Sequence, residues 1–193
     1  MFRISNIVRI PFIGIKRIFQ ADGKLQFWLS QITVVISTII GVYLAANTGF
    51  EKAMQFENIT KQRDVYYLAT ALQMEMEDNI KTAKEFTALL SKGGYYTKSQ
   101  RLKFATFVWQ AMGESSETFQ IRPDVLTQNR RYFQDIDSIL DKLDNKRLGR
   151  NNVINKMDEI TKIFKEKTIP ILQQQRDKIK SFLIKNKLNP DIS

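Results

Sequence analysis

The chain has 193 residues, with 30 lysines and arginines against 20 aspartates and glutamates, and it contains neither cysteine nor histidine. Without these two residues it has no disulfides, no thiolate nucleophile, and neither the commonest general base nor the commonest transition-metal ligand. We therefore expect a protein that is not an enzyme and holds no cofactor and no metal, although an enzyme using carboxylates alone would pass this test.

The first 26 residues interleave apolar side chains with basic ones. The apolar residues recur every three or four positions, which is typical of an amphipathic helix lying in a membrane interface. The alternative interpretation is a cytoplasmic tail whose basic residues serve only to set the orientation of the protein in the membrane. The basic side chains expected to contact lipid headgroups here are Arg3, Arg9, Lys16 and Arg17.

The most apolar stretch covers residues 27–48 and contains no charged side chain. A helix of that length extends about 33 Å, which matches a hydrocarbon core of about 30 Å. In lipid only a helix satisfies such a backbone internally, so the β-branched residues here do not indicate a strand. The stretch is longer than the apolar region of a signal peptide and lacks a good cleavage site, so we predict an uncleaved transmembrane helix.

The charges on the two sides of this predicted span differ. Five basic residues precede it, whereas only Lys52, Lys61 and Arg63 are basic within about 20 residues after it. The positive-inside rule therefore places the N-terminus in the cytoplasm. This predicts a bacterial inner-membrane protein with a basic interfacial segment (residues 1–26), a transmembrane helix (27–48) and a periplasmic helical domain (49–193).

Small side chains recur along one face of the predicted span. They are Ser30, Ser37, Gly41 and Ala45. Small residues at this spacing allow a second helix to approach closely, and hydroxyl groups can form hydrogen bonds across the contact. The pattern predicts a contact with another membrane protein or with a second copy of this chain. Chance occurrence in an apolar segment is the alternative.

Beyond Gly49 the apolar residues repeat at spacings of three and four, which predicts four helices over residues 50–91, 97–119, 123–148 and 151–187. We expect Gly93-Gly94 to end the first helix and Pro170 to kink the fourth. No segment outside the predicted span alternates with period two, and the connections are short. The predicted fold is an all-α, up-and-down bundle with two long and two short helices. The first helix carries its apolar stripe at Val65, Leu68, Leu72, Met76, Ile80, Ala83, Phe86 and Leu90.

The first and fourth predicted helices are longer than the middle two, which predicts a four-helix head on a two-helix neck. Two helices cannot bury both apolar stripes, and exposed apolar surface of this kind marks a partner site. The neck residues predicted to contact a partner are Phe50, Met54, Ile59, Ile179 and Phe182.

The end of the fourth predicted helix is basic. Its lysines are expected to contact lipid headgroups, and complementing the helix dipole is the alternative. These lysines are Lys178, Lys180, Lys185 and Lys187.

Two clusters of acidic residues are candidate metal sites. The aspartates between Asp135 and Asp144 lack the oxygen ligand and the glycine of a calcium-binding loop, so we expect them on a solvated helix face. Glu75 and Asp78 share a helix face and leave a weak cation site as a minor alternative.

These features favour a non-catalytic, single-pass membrane protein that acts as an accessory or assembly subunit of a larger membrane complex. Its expected partners are other membrane-protein subunits or a second copy of itself, together with lipid headgroups, and nucleic acid is not expected. The alternative is a sensory or ligand-binding helical bundle that signals through a partner, loosely similar in layout to the helical ectodomains of bacterial chemoreceptors.

Overall fold

The computed structural model describes residues 23–93, 96–188 and 190, and the regular elements within these ranges are all helical. The predicted all-α class is confirmed for this part of the chain. Residues 1–22 of the predicted interfacial segment lie outside the described residues. The chain divides into two compact units, Met1–Gln55 and Phe56–Ser193, which we describe separately.

Helix α1 extends from Gly23 to Ser91 without interruption. The predicted span and the predicted first bundle helix are therefore parts of a single helix. A glycine inside a helix costs only about 1 kcal/mol, so Gly49 does not end it. The end comes at Gly93, as predicted, where a φ of 79° needs glycine and the N–H donates to the carbonyl of Leu90 at 3.3 Å.

The prediction of a long second helix is wrong. Helix α2 occupies only Phe107–Met112, and short 3₁₀ turns lie at Lys98–Gln100 and Ser116–Gln120. Residues 101–106 form no helix or strand, and their burial alternates, with Leu102 and Phe104 half-buried and Lys103 exposed. Burial at every second residue is the period-two pattern of extended chain, not the helical period that was predicted. We call residues 96–122 the connecting segment.

The remaining helices are α3 (Pro123–Asp144), α4 (Arg150–Ile163) and α5 (Ile169–Lys185). Pro123 occupies the first turn of α3, as predicted. A π-helical turn, Phe164–Thr168, joins α4 to α5 just before Pro170. Because proline lacks an N–H and its ring crowds the preceding turn of an α-helix, the wider turn accommodates Pro170 where the sequence predicted a kink.

The core of the second unit contains the predicted apolar stripe of α1. Every member of that stripe is buried except Leu68, which is partly buried against the core. Helices α3, α4 and α5 contribute residues such as Ile136, Met157 and Leu172. The ring of Tyr132 on α3 stacks on Phe164, with the centroids 4.2 Å apart. The π-helical turn is thus packed directly against α3.

The replacement Leu72→Ala tests this core. Leu72 is fully buried, and truncating a buried leucine costs about 2–5 kcal/mol of unfolding free energy. Met74→Ala, at a residue 62% exposed on the same helix, should change that free energy by less than about 0.5 kcal/mol. Denaturant unfolding of the full chain, followed by circular dichroism, measures both. Equal losses would contradict the burial of the stripe.

Candidate functional site

The N-terminal part of α1 is exposed at every residue from 23 to 58. Its large apolar side chains, among them Trp28, Ile39 and Tyr43, lie exposed on several faces of the helix. By length and composition this helix could cross a membrane, and none of its most apolar stretch is buried. Such a helix near the N-terminus fits either a membrane span or a signal sequence.

The small residues of the predicted contact lie at helical spacing on one face of α1. They are Ser30, Ser37, Gly41 and Ala45. Apart from the neighbouring residues and backbone of α1 itself, no atom lies within 4 Å of a Cβ placed at Gly41, so a second helix has room to approach. Thr33 and Thr38 donate to carbonyls four residues earlier, each at 2.8 Å, which satisfies these hydroxyl groups within the helix. The partner contact stays a prediction.

The predicted neck residues fall into two sets. Phe50 and Met54 are exposed, as expected. Ile59 and Phe182 pack in part against the core, and Ile179 is only 8% exposed. The expected exposure of Ile179 is therefore wrong, because α5 packs within the bundle and does not form half of a two-helix neck.

The chain after α5 turns back onto α1. Lys187 adopts a φ of 63°, and the N–H of Leu188 donates to the carbonyl of Leu183 at 3.0 Å. The hydroxyl of Tyr67 then donates to the carbonyl of Pro190 at 3.2 Å. These contacts hold the end of α5 beside Tyr67.

The predicted headgroup contacts stay predictions. Arg3, Arg9, Lys16 and Arg17 lie outside the described residues. Of the lysines near the end of α5, Lys178, Lys185 and Lys187 are exposed and Lys180 is half-buried.

Two buried polar side chains of α1 hold the connecting segment. The Glu75 carboxylate accepts hydrogen bonds from the N–H groups of Val108 at 2.6 Å and Trp109 at 3.0 Å, donors that the first turn of α2 cannot pair. One turn later, the Asn79 side chain donates to the carbonyl of Ala105 at 2.7 Å and accepts from its N–H at 2.8 Å. Glu75 is 6% and Asn79 1% exposed. Glu75 therefore caps a helix and is not half of the cation site considered above.

Arg101 of the connecting segment is held by three aspartates of α3. One guanidinium nitrogen donates to Asp141 at 2.8 Å and to Asp144 at 2.6 Å, and another donates to Asp137. The Asp144 side chain is only 6% exposed, and it also accepts a hydrogen bond from the Tyr96 hydroxyl at 2.7 Å. The predicted solvated position is therefore wrong for Asp144, because Arg101 and Tyr96 cover it. We call these five residues the Arg101 cluster.

Contacts within the Arg101 cluster move the pKa values of Asp144, Tyr96 and Arg101 away from neutral pH. The hydrogen bond from Tyr96, reinforced by Arg101, lowers the pKa of Asp144 below its usual range. Burial, together with the bond to Asp144, raises the pKa of Tyr96 to about 12. Hydrogen bonding to the carboxylates, first of all Asp141, raises the pKa of Arg101. These groups keep their charge states near pH 7, which suits a structural role.

A groove of about 550 Å³ lies between α1 and the π-helical turn. We call it the lysine groove. Its lining residues are Glu77, Ile80, Lys81, Lys84, Glu85, Ala88, Lys165 and Ile169. A second cleft, of about 400 Å³, lies between the connecting segment and α3, where Phe104, Trp109 and Phe133 form an aromatic wall.

Among the described residues, no group of three or more aspartates and glutamates is placed to hold a metal ion. Comparison of the chain with protein-family models, with curated proteins and with solved structures finds no match. Functional conclusions therefore depend on the residues and geometry of this chain.

Sequence reasoning missed Arg101, Asn79 and the role of Glu75. The spacing of Asp137, Asp141 and Asp144 placed them on one helix face and was a visible signal for a shared cation. Their partner lies 36 to 43 residues away in the chain, so no local pattern identified it.

The replacement Glu75→Ala tests the cap on α2. Loss of a helix N-cap acceptor costs about 1 kcal/mol, so the amides of Val108 and Trp109 should exchange hydrogen about fivefold faster at that cost. Asp78→Ala removes a nearby exposed carboxylate and is the control, with exchange at both amides expected to stay unchanged. Hydrogen exchange of the full chain measures this. Equal protection in Glu75→Ala and wild type would rule out the cap.

The lowered pKa of Asp144 predicts a defined acid dependence. The pKa of the Asp144 carboxyl is lower in the folded state than its unfolded-state value of about 3.9. Its carboxylate therefore stabilises the fold above that pH, and this stability is lost as the pH falls through the folded-state pKa. Below about pH 4, the unfolding free energy should therefore fall more steeply in wild type than in Asp144→Asn. Urea unfolding across this range measures it, and Asp135→Asn, at an exposed position of the same helix, should follow wild type. Parallel curves for wild type and Asp144→Asn would contradict the linkage.

Proposed function

We propose that the chain is a single-pass, non-catalytic membrane protein that acts as an accessory or assembly subunit of a larger membrane complex. The observation that carries the proposal is the exposure of α1 from residue 23 to 58, which includes its apolar stretch. Exposed apolar surface costs about 25 cal/mol per Å² in water. A bilayer and a partner helix remove this cost.

The small-residue face supports the assembly role. A lipid-facing helix needs no particular side-chain size, whereas a packed helix pair favours small residues on the contact face. The open space around Gly41 leaves room for such a partner. The excess of basic residues before the apolar stretch supports a bacterial inner-membrane orientation with the N-terminus in the cytoplasm and the second unit in the periplasm.

The polar contacts of the second unit support a non-catalytic role. Glu75 is committed to main-chain donors, and Arg101 and Asp144 are committed to each other. A catalytic acid or base needs a pKa near the working pH, and the shifts in the Arg101 cluster run the other way.

The lysine groove favours the second candidate function, a ligand-binding bundle that signals through a partner. Purification from native membranes in mild detergent, with mass spectrometry of bound proteins, separates the two. A stoichiometric larger membrane protein is the result expected for an accessory subunit. A homo-oligomer without other proteins would overturn that role and favour the sensory one.

The replacement Gly41→Leu tests the small-residue face. Leucine at this position fills the space that a partner helix needs, so recovery of the co-purified protein should fall about tenfold, the effect of roughly 1.4 kcal/mol. Ile39→Leu changes an apolar residue on the opposite face of α1 and should leave recovery unchanged. Quantitative mass spectrometry at matched expression measures both. Full recovery with Gly41→Leu would remove this face from the interface.

A further inference from the structure

We infer that the lysine groove binds a single-chain anionic amphiphile of the fatty-acid type. Its acyl chain would lie on Ile80, Ala88 and Ile169, and its carboxylate would lie among the lysine ammonium groups. The groove lies entirely within the second unit. The inference therefore does not depend on the membrane partner proposed above.

The floor of the lysine groove is apolar. Ile80 on α1 and Ile169 at the start of α5 line it. Both are core residues, with only 6% and 8% of their surface exposed. The methylene stems of Lys81 and Lys165 extend this apolar surface, since long basic side chains keep only the ammonium group in water. A volume of about 550 Å³ falls in the range of small-molecule sites.

The positive charges of the groove are available for a ligand. Lys81 and Lys84 lie on α1 and Lys165 on the π-helical turn opposite, so the ammonium groups approach from both walls. In the described part of the chain none of the three has a carboxylate within 4 Å. The rim also carries two carboxylates, Glu85 and Glu77, and Glu77 accepts a hydrogen bond from Gln73 at 2.8 Å. Three lysines against two glutamates leave an excess of positive charge, which favours an anion.

The length of the groove suits an acyl chain. Its α1 residues extend from Glu77 to Ala88, about 17 Å along the axis. One extended hydrocarbon chain can lie along that length over the apolar floor.

The π-helical turn positions the second wall. Thr168 ends the turn and Ile169 begins α5, and both side chains are buried. The turn thus places Ile169 at the edge of the core and Lys165 on the rim of the groove. Single π-turns within helices recur at functional sites.

The test is photolabelling of the full chain in phosphatidylcholine nanodiscs with dodecanoic acid that carries a diazirine on its chain. We expect labels on peptides that contain residues 77–88 and 165–169, and we expect excess dodecanoate to remove them. The methyl ester of the probe, which has no charge, should label about tenfold less. Equal labelling by acid and ester, or labels spread over the whole bundle surface, would overturn the inference.

Matched variants separate charge from folding. The triple variant Lys81→Gln/Lys84→Gln/Lys165→Gln should lose about tenfold in labelling, whereas Lys103→Gln/Lys142→Gln/Lys156→Gln, which removes three exposed lysines elsewhere, should label like wild type. Ala88→Leu places a larger side chain in the groove and leaves every charge in place, so it should also reduce labelling. Equal loss in both triple variants would overturn the inference. If phosphatidylglycerol added to the nanodisc removed all labelling, the occupant of the groove would be a bilayer lipid, and the inference of a free single-chain amphiphile would be overturned.

Discussion

The connecting segment has only one short α-helix, so most of its main-chain groups must find hydrogen bonds outside an α-helix, and buried groups left unpaired are costly. Short turns within the segment supply part of these bonds, and side chains of α1 and α5 supply others. Asn79 pairs with both groups of Ala105, and Glu75 accepts from two amides of α2. At the other end, the Gln175 side chain donates to the carbonyl of Gln120 at 2.6 Å and accepts from the N–H of Arg122 at 3.0 Å. The position of the whole segment depends on these contacts.

Two sets of charged side chains in the second unit have different consequences. Glu75 and the Arg101 cluster are committed to structural contacts, so changing them should alter stability and acid dependence. The three lysines of the lysine groove have no carboxylate partner in the described part of the chain. They lie beside apolar floor residues and a π-helical turn. This contrast directs the search for a ligand to the groove and away from the Arg101 cluster.

The helix lengths wrongly predicted a two-helix neck. Because the fourth predicted helix is long, its end was expected to extend beyond the bundle. In the structure Ile179 and Leu183 are buried, and the chain turns back so that Pro190 contacts Tyr67. Length along the chain sets how far a helix can reach, but only packing decides which of its residues become core.

The sequence by itself determined the helical class, the apolar stretch of α1, the core stripe from Val65 to Leu90 and the end of α1 at Gly93, because periodicity and glycine geometry are local properties. Only the tertiary structure decided that most of residues 96–122 lie outside an α-helix. Their anchors, such as Asn79 to Ala105, are 26 residues apart. The Arg101 cluster likewise joins the connecting segment to α3, and the lysine groove joins α1 to the π-helical turn. A partner that far along the chain leaves no local pattern, so burial and hydrogen bonding between elements had to select it.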